Sequence, residues 1–249
     1  MADVCGGSDD LPGRRARRPD QKGSEVKIGI IGAGKIGGTL AARLVASGHD
    51  VALANSRGPS TLAQVAQDTG ARAVGVSEVA IAADAVIVSI PLRALPELDP
   101  SHVAGVSVVI DTMNYAPVRR DPRIAELDEG EVESMRVQRL LGRDVVKAFN
   151  TINVPSLRDL GRAPGSRNRI ALPVAGDSSN SVDVALSLVD AAGFDAVASG
   201  PLDQSWRQQP GTPAFCTNLP ADDLQLALDQ ASLADIEAWR SHIATLPPV

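Results

Sequence analysis

The chemistry-bearing part of this chain begins with a glycine-rich hexapeptide, Gly32-Ala33-Gly34-Lys35-Ile36-Gly37, which has the spacing G-x-G-x-x-G. It follows the β-branched run 26–31 and precedes a helical stretch in which Leu40 and Leu44 share one face. In this context the first glycine permits a tight turn, the second lets the backbone approach a pyrophosphate, and the third lets the helix pack on the strand. The unpaired N–H groups of the helix then face the phosphates. The motif therefore predicts a dinucleotide-binding turn.

The residues after the second predicted strand, 51–54, distinguish the two nicotinamide nucleotides. A site for NAD usually presents Asp or Glu here, to accept hydrogen bonds from the 2′-hydroxyl of the adenosine ribose. This chain has Asn55-Ser56-Arg57 instead, so the carboxylate that would repel a 2′-phosphate is missing. Arg57 can pair with that phosphate, Ser56 can donate a hydrogen bond to it, and Ser60 can cap the next helix. The segment predicts a preference for NADP(H).

The segments that follow the later strands carry few groups that titrate near neutral pH, although ligands of such sheets lie at these strand ends. They are Ser89-Ile90-Pro91-Leu92, 111–117 and 149–153. Asp111 is the one carboxylate at a strand end, and it suits the capping of its own loop better than chemistry. We therefore expect hydride transfer to an acceptor that manages its own protonation, with positioning of the cofactor supplying most of the catalysis.

Metal and nucleophile chemistry is not expected from the histidines and cysteines. His49, His102 and His242 are scattered, and none falls at a strand end or within a metal-ligand spacing. The two cysteines, Cys5 and Cys216, form neither a disulfide framework nor a metal site. The sequence predicts no bound metal and a reducing, cytoplasmic environment.

Apolar strands alternate with helical stretches from residue 26 to about residue 200, which predicts a mostly parallel, doubly wound, Rossmann-like α/β sheet with helices on both faces. We expect one nucleotide-binding domain over 26–200. Residues 201–249 are expected to form a loop and a small helical segment, from about Ala221, that complete the substrate cleft. The predicted strands are 26–31, 51–54, 71–76, 84–90, 106–111, 144–149, 169–175 and 194–198, and the predicted helices begin near 35, 60, 131, 179 and 221.

Composition excludes several classes of function. The chain has 249 residues, a formal net charge of −6 and 2% aromatic residues, which argues against a general nucleic-acid binder. No apolar run reaches the roughly 20 residues that span a bilayer, so no membrane association is expected. Residues 1–25 contain an arginine-rich run without the apolar segment of an export signal, so they are predicted to be a disordered tail.

Six motifs occur in a fixed order along the chain: 30–37, 55–57, 88–91, 147–152, 173–177 and 198–202. Together they resemble the NADPH:coenzyme F420 oxidoreductase family, and the resemblance extends from about Val26 to Asn218. Members of this family pass a hydride between the nicotinamide of NADP and C5 of an 8-hydroxy-5-deazaflavin, with the two rings stacked in one cleft. The resemblance also implies a homodimer.

The resemblance implies roles for individual residues of this chain. Gly32, Gly34, Lys35 and Ile36 would hold the pyrophosphate, and Ser56 and Arg57 the 2′-phosphate. Ile90, Pro91 and Leu92 would flank the nicotinamide ribose. Ser89, in the motif 88–91, and Asn55, in the motif 55–57, would also bind the cofactor. Asn150 and Ile152 would line the stacked rings, and Asn114, Tyr115 and Pro213 would lie near the second substrate.

This chain departs from the family pattern near that second substrate. Asn150 stands where some members have histidine, and the stretch 204–213 is typical of a bacterial subgroup. Trp206 and Arg207 have two equally good interpretations. They form a ring platform and an anion clamp for the acceptor, or they are a core tryptophan and a surface arginine.

Two alternative functions remain open at this stage. One is an NADPH-dependent reductase of a C=N, C=C or C=O bond in a small metabolite, with Asp111, Tyr115 or Asn150 as proton donor. The other is a non-catalytic module that senses NADP(H) and signals to a partner.

Overall fold

The computed structural model describes residues 26–246, and the tail predicted over 1–25 lies outside them. It contains an eight-stranded sheet with the strand order β3-β2-β1-β4-β5-β6-β7-β8. The strands are β1 (Lys27–Ile31), β2 (Asp50–Ala54), β3 (Arg72–Ala73), β4 (Ala85–Val88), β5 (Val108–Asp111), β6 (Val146–Lys147), β7 (Ala171–Ala175) and β8 (Asp195–Gly200).

Eight α-helices and several 3-10 helices connect these strands within the described residues. The α-helices are α1 (Lys35–Ala46), α2 (Ala63–Thr69), α3 (Ala125–Asp128), α4 (Glu133–Leu141), α5 (Val154–Asp159), α6 (Ser179–Ala191), α7 (Ala221–Asp229) and α8 (Leu233–Ala244). The 3-10 helices are Pro59–Leu62, Leu92–Glu97, Pro100–Val103 and Leu202–Gln208.

The doubly wound, mostly parallel sheet predicted from the sequence is confirmed. Strands β1 to β6 pair in parallel, and the chain order reverses between β1 and β4. β7 pairs antiparallel with β6, and β8 then pairs parallel with β7. The carboxyl ends of β1 to β6 therefore lie at one edge of the sheet. β7 and β8 run in the opposite direction, so their amino ends lie at that edge.

The core forms one apolar layer on each face of the sheet. On one face, α1, α5 and α6 bury Leu40, Leu44, Leu157 and Leu188 against the sheet. On the other face, the 3-10 helix Leu92–Glu97, the segment before β5 and α4 bury their apolar residues. Each fully buried leucine stabilises the fold by about 1.5–3 kcal/mol relative to an exposed one. The strands read as continuous apolar runs because both of their faces are covered.

The C-terminal part contains more helix than the sequence indicated, since two helices, α7 and α8, follow Ala221 instead of one. α7 packs on the end of the sheet through Leu224 and Leu228. α8 begins with a capping box between Ser232 and Asp235. Within residues 26–246, no helix is long and apolar enough to cross a membrane.

Candidate functional site

The glycine turn between β1 and α1 forms the first wall of the candidate site. Gly32 has φ +113°, and a Cβ there would lie 2.2 Å from the carbonyl oxygen of Ser89. A Cβ on Gly37 would lie 1.9 Å from the carbonyl oxygen of Gly32, so both glycines are required by close backbone contact. At Gly34, by contrast, a Cβ would meet nothing within 4 Å. The space in front of Gly34 is therefore open to a ligand.

The first turn of α1 is available to an anion. Gly34 is the N-cap residue, and no side chain caps the helix there. The first N–H groups of a helix have no partner within the helix and carry a partial positive charge. Lys35 is exposed at the same point, whereas Ile36 packs inward against the core beneath the sheet. The turn thus presents backbone N–H groups and one lysine to a bound phosphate.

The loop after β2 forms the second wall, and Asn55 holds its shape. The Asn55 Oδ1 atom accepts a hydrogen bond from the backbone N–H of Arg57 at 2.9 Å. The Asn55 Nδ2 atom donates to the Thr61 hydroxyl at 3.0 Å. Because these bonds engage the Asn55 amide in the turn itself, the exposed side chains of Ser56 and Arg57 are the ones left to meet a ligand.

A cavity of about 430 Å³ connects these two turns with the segment after β4. Ala33, Ser89, Ile90 and Pro91, which the sequence motifs assign to NADP binding, line it. Leu92 does not line it, because this side chain is buried in the core beneath the 3-10 helix Leu92–Glu97. The other described residues of the cavity wall are Ile31, Gly32, Gly34, Asn55, Ser56, Arg57, Val76, Ala94, Glu97, Leu98 and His102.

Glu97 and His102 are wall residues that sequence reasoning missed. Both lie in the connection between β4 and β5, on or beside short 3-10 helices. His102 was set aside because it falls at no strand end. It comes to the cavity because Val103, the next residue, is fully buried and anchors its 3-10 helix on the sheet.

A buried amide network joins the ends of β5 and β6 to the C-terminal part. The Asn150 Nδ2 atom donates to Asn114 Oδ1 at 3.0 Å and to the backbone carbonyl of Gln208 at 2.7 Å. The Gln208 Nε2 atom donates back to Asn150 Oδ1 at 2.9 Å, and the Ser199 hydroxyl donates to Gln208 Oε1. Asn150 is only 3% exposed and Gln208 is 0% exposed. The Asn150 amide thus fixes this wall through its own hydrogen bonds.

Phe149 turns the chain into this network through a left-handed backbone conformation. Its φ is +60° although it is a bulky, buried residue, and such a conformation is uncommon outside glycine. Conformations of this kind persist where the surrounding structure enforces them, and they cluster at functional sites. Here the turn delivers Asn150 to Gln208 and Asn114.

Asp111, a candidate proton donor, is fully engaged in a buried ion pair. Its Oδ2 atom lies 3.1 Å from Lys147 Nζ and accepts a hydrogen bond from the Ser134 hydroxyl at 2.8 Å. Its Oδ1 atom accepts from the backbone N–H of Met113 at 2.7 Å. Lys147 also donates to the Met113 carbonyl. Asp111 therefore caps its own loop, which was the role that the sequence favoured, and it does not line the cavity.

Tyr115, the second candidate proton donor, is not among the described residues that line the cavity. Its hydroxyl donates to Asp128 Oδ1 at 3.0 Å and accepts from the backbone N–H of Ile124. The Arg240 guanidinium of α8 stacks 5.1 Å from the centre of its ring. Burial is the main cause that raises the pKa of Tyr115. The side chain fastens α3 and α8 to the loop after β5.

Glu133 lies beside the Asp111–Lys147 pair and was not singled out from the sequence. Burial raises its pKa to about 7, although Lys147 and a hydrogen bond from the backbone N–H of Tyr115 act in the opposite direction. Its Oε2 atom is buried and has no hydrogen-bond partner among the described residues. Glu133 is thus a buried carboxyl group that titrates in the physiological range.

The remaining predicted substrate residues occupy different environments. Ile152 is 3% exposed and forms part of the core. Trp206 is half-buried, and Pro213 is exposed. Arg207 donates to the carbonyl of Ser199 and lies 3.6 Å from Asp229. These contacts engage Arg207 within the protein.

Comparison with known proteins places the chain among nicotinamide-dependent enzymes. Residues 27–115 match the model of a family described as NADP oxidoreductase, coenzyme F420-dependent. The hypothetical protein SMa0349 from Sinorhizobium meliloti is 31% identical, with a TM-score of 0.66, and the match covers 80% of this chain and 96% of that protein.

Two further relatives match less completely. A candidate F420-dependent NADP reductase from Arthrobacter sp. FB24 shares the fold at 23% identity, with a TM-score of 0.58, over 72% of this chain and 87% of that one. The protein YjhV of Escherichia coli (strain K12) is 50% identical over 68 residues, or 27% of this chain. The chain matches half the length of that curated relative.

Substitution of two glycines separates folding from nucleotide binding. Gly37→Ala should destabilise the protein by about 2 kcal/mol or more, because its Cβ overlaps the Gly32 carbonyl. Gly34→Ala should fold normally and bind NADPH at least about tenfold more weakly, because its Cβ occupies the ligand's space. Thermal unfolding and a fluorescence titration with NADPH measure the two effects. Equal NADPH affinity in Gly34→Ala and wild type would contradict this assignment of the turn.

Glu133 should make the stability of the protein depend on pH. Its pKa in the folded protein, about 7, lies above its ordinary value of 4.5, so the unfolded chain binds fewer protons between these values. The stabilisation is therefore complete below pH 4.5 and is lost as the pH rises through 7, which amounts to about 3 kcal/mol.

Glu133→Gln should remove most of this pH dependence. The difference in melting temperature between pH 5 and pH 8 should shrink in this variant and stay as in wild type in Glu129→Gln, which alters an exposed glutamate. Identical pH dependence in Glu133→Gln and wild type would show that Glu133 is not the titrating group.

Proposed function

The chain belongs to the family of coenzyme F420-dependent NADP oxidoreductases, and we propose that it exchanges a hydride between NADP(H) and coenzyme F420, an 8-hydroxy-5-deazaflavin. The observation that carries the nucleotide half is the cavity that runs from Gly34 to Arg57. Gly34 and Arg57, which both line it, would meet the pyrophosphate and the 2′-phosphate of NADP respectively. The deazaflavin half is supported by the chemistry of the side chains at the ends of β5 and β6.

The residues of the cavity fit NADP(H). The uncapped start of α1 and the open space before Gly34 would hold the pyrophosphate. Arg57 and Ser56 would hold the 2′-phosphate, since the guanidinium forms strong charge-assisted hydrogen bonds with phosphate oxygens. Ile90 and Pro91 line the same cavity after β4 and would flank the nicotinamide ribose.

The side chains near the nicotinamide end would position the reactants and exclude water. When both are bound, NADPH supplies the hydride, and the deazaflavin accepts it at C5 together with one proton from solvent. Asp111 is held by Lys147, and Tyr115 by Asp128. Neither is poised as a general acid, which suits an acceptor that manages its own protonation. The Asn150–Gln208 network would keep the wall rigid while the rings are aligned.

One observation favours a second candidate function. Asn150 and Ile152 are each only 3% exposed, so the place expected for the second ring is narrow in this structure. An NADPH-dependent reductase of a C=N, C=C or C=O bond in a small metabolite would need less room there.

A reaction with purified protein tests the proposed function. NADPH and oxidised deazaflavin are mixed with the protein, and the loss of the deazaflavin absorbance is followed, with NADH as the control. The deazaflavin absorbance is expected to fall rapidly with NADPH and to stay unchanged with NADH. If NADPH binds tightly and the deazaflavin absorbance does not fall, the deazaflavin is not the acceptor. The alternative of a metabolite reductase would then be tested with imine, enone and ketone substrates. Binding without turnover on any of these acceptors would indicate a sensing module.

Arg57→Asp should reverse the choice of nucleotide. Loss of a charge-assisted hydrogen bond and gain of a repelling carboxylate should lower the NADPH-to-NADH ratio of kcat/KM by about ten- to a hundred-fold. If turnover is absent, the ratio of dissociation constants serves. Arg167→Asp, an exposed arginine in the loop before β7, is the matched control. An unchanged ratio in Arg57→Asp would show that another group selects the 2′-phosphate.

A further inference from the structure

We propose that Glu97 and His102 recognise the base of the bound dinucleotide and make the site specific for adenine. This inference rests on the proposed NADP(H) function and adds to it two residues that form hydrogen bonds with the adenine base. Neither residue belongs to a nucleotide-binding motif of the sequence, and both line the cavity.

The position of the base follows from the two phosphate sites. With the pyrophosphate at the start of α1 and the 2′-phosphate at Arg57, the base must lie further along the cavity. The apolar residues of the cavity wall include Val76 from the segment after β3 and Ala94 and Leu98 from the segment after β4. Val76 and Leu98 pack on the same core layer. Apolar wall residues of this kind suit contact with the face of a flat ring.

We assign the hydrogen-bond donor for the base to His102, which also lines the cavity. Its Nδ1 atom is buried and has no hydrogen-bond partner among the described residues. A buried N–H group without an acceptor is costly and rare in folded proteins, so a neutral imidazole here keeps its proton on Nε2. The 3-10 helix that carries His102 is capped by Asp99, whose side chain accepts from the backbone N–H of Ser101 at 2.9 Å. The ring is therefore presented by a well-anchored element.

Glu97 supplies the complementary acceptor. It ends the 3-10 helix Leu92–Glu97, and this exposed residue lines the same cavity as Leu98 and His102. A carboxylate accepts hydrogen bonds and donates none. Adenine offers an exocyclic amino group that donates and ring nitrogens that accept. Glu97 and His102 together match that pattern.

Hypoxanthine reverses this pattern at position 6 and at N1, because its N1 carries a proton where the N1 of adenine accepts a hydrogen bond, which makes the inference testable. Its 6-oxo group is an acceptor where adenine has the 6-amino donor, so it would face the Glu97 carboxylate with two acceptors and no proton between them. Such a mismatch leaves a polar group unpaired and is expected to weaken binding about tenfold or more.

The experiment compares NADPH with its deamino analogue, the reduced nicotinamide hypoxanthine dinucleotide phosphate. Dissociation constants are measured by nicotinamide fluorescence with wild type, Glu97→Gln, His102→Phe and the control Glu237→Gln, an exposed glutamate of α8. Wild type and Glu237→Gln should prefer NADPH about tenfold. Glu97→Gln should lose or invert this preference, because an amide can donate to the 6-oxo group.

His102→Phe keeps a ring in place and removes the donor, so it should weaken NADPH binding about three- to tenfold. Unchanged affinity in this variant would overturn the role of His102. If wild type and Glu97→Gln each bind NADPH and its deamino analogue with equal affinity, base recognition is overturned. The proposed function would still stand, because NADPH binds. Failure of wild type to bind NADPH at all would overturn the proposed function and this inference with it.

Discussion

The Gly32 carbonyl after β1 and Gly37 in the first turn of α1 approach each other so closely that only glycine fits at Gly37, and the Ser89 carbonyl after β4 imposes the same requirement at Gly32. A Cβ at either position would come within 2.2 Å of a carbonyl oxygen. This contact fixes the direction of α1 and therefore the point at which its uncapped N–H groups emerge. The loop after β2 and the segment after β4 are held against the same turn by backbone hydrogen bonds from Gly32 to Ala54 and from Ser89 to Ile31. The cavity exists because these three strand ends converge.

A second constraint acts at the other end of the cleft, where charge is buried. Lys147 and Asp111 are both fully buried and satisfy one another, with Ser134 and the Met113 backbone completing their hydrogen bonds. The loop that carries Asn114 is shaped by these bonds. Polar contacts in the low-dielectric interior are strong when every member is satisfied. Rigidity at this end thus comes from electrostatics, whereas at the glycine turn it comes from steric contact.

Much of the fold and the nucleotide half of the site could be predicted from the sequence. The glycine spacing, the apolar strands and the residues 55–57 are local patterns with a direct physical meaning. Glu97 and His102 could not be predicted to line the cavity, because the 3-10 helices that carry them are short and have no hydrophobic period. The contact between Asn150 and Gln208 was also hidden, since it joins side chains 58 positions apart. α5 was missed because its six residues are too few for a periodic signal.

The buried pair of Asp111 and Lys147 also constrains which substitutions this chain can accept during evolution. Replacing either residue alone would leave an uncompensated charge inside the protein, which typically costs about 3–5 kcal/mol, whereas exchanging both for apolar residues can be nearly neutral. The two positions are therefore expected to show sign epistasis, in which each first step is harmful and the double step is tolerated. Related chains are expected to carry either both charges or neither, so that the pair is inherited as a single unit.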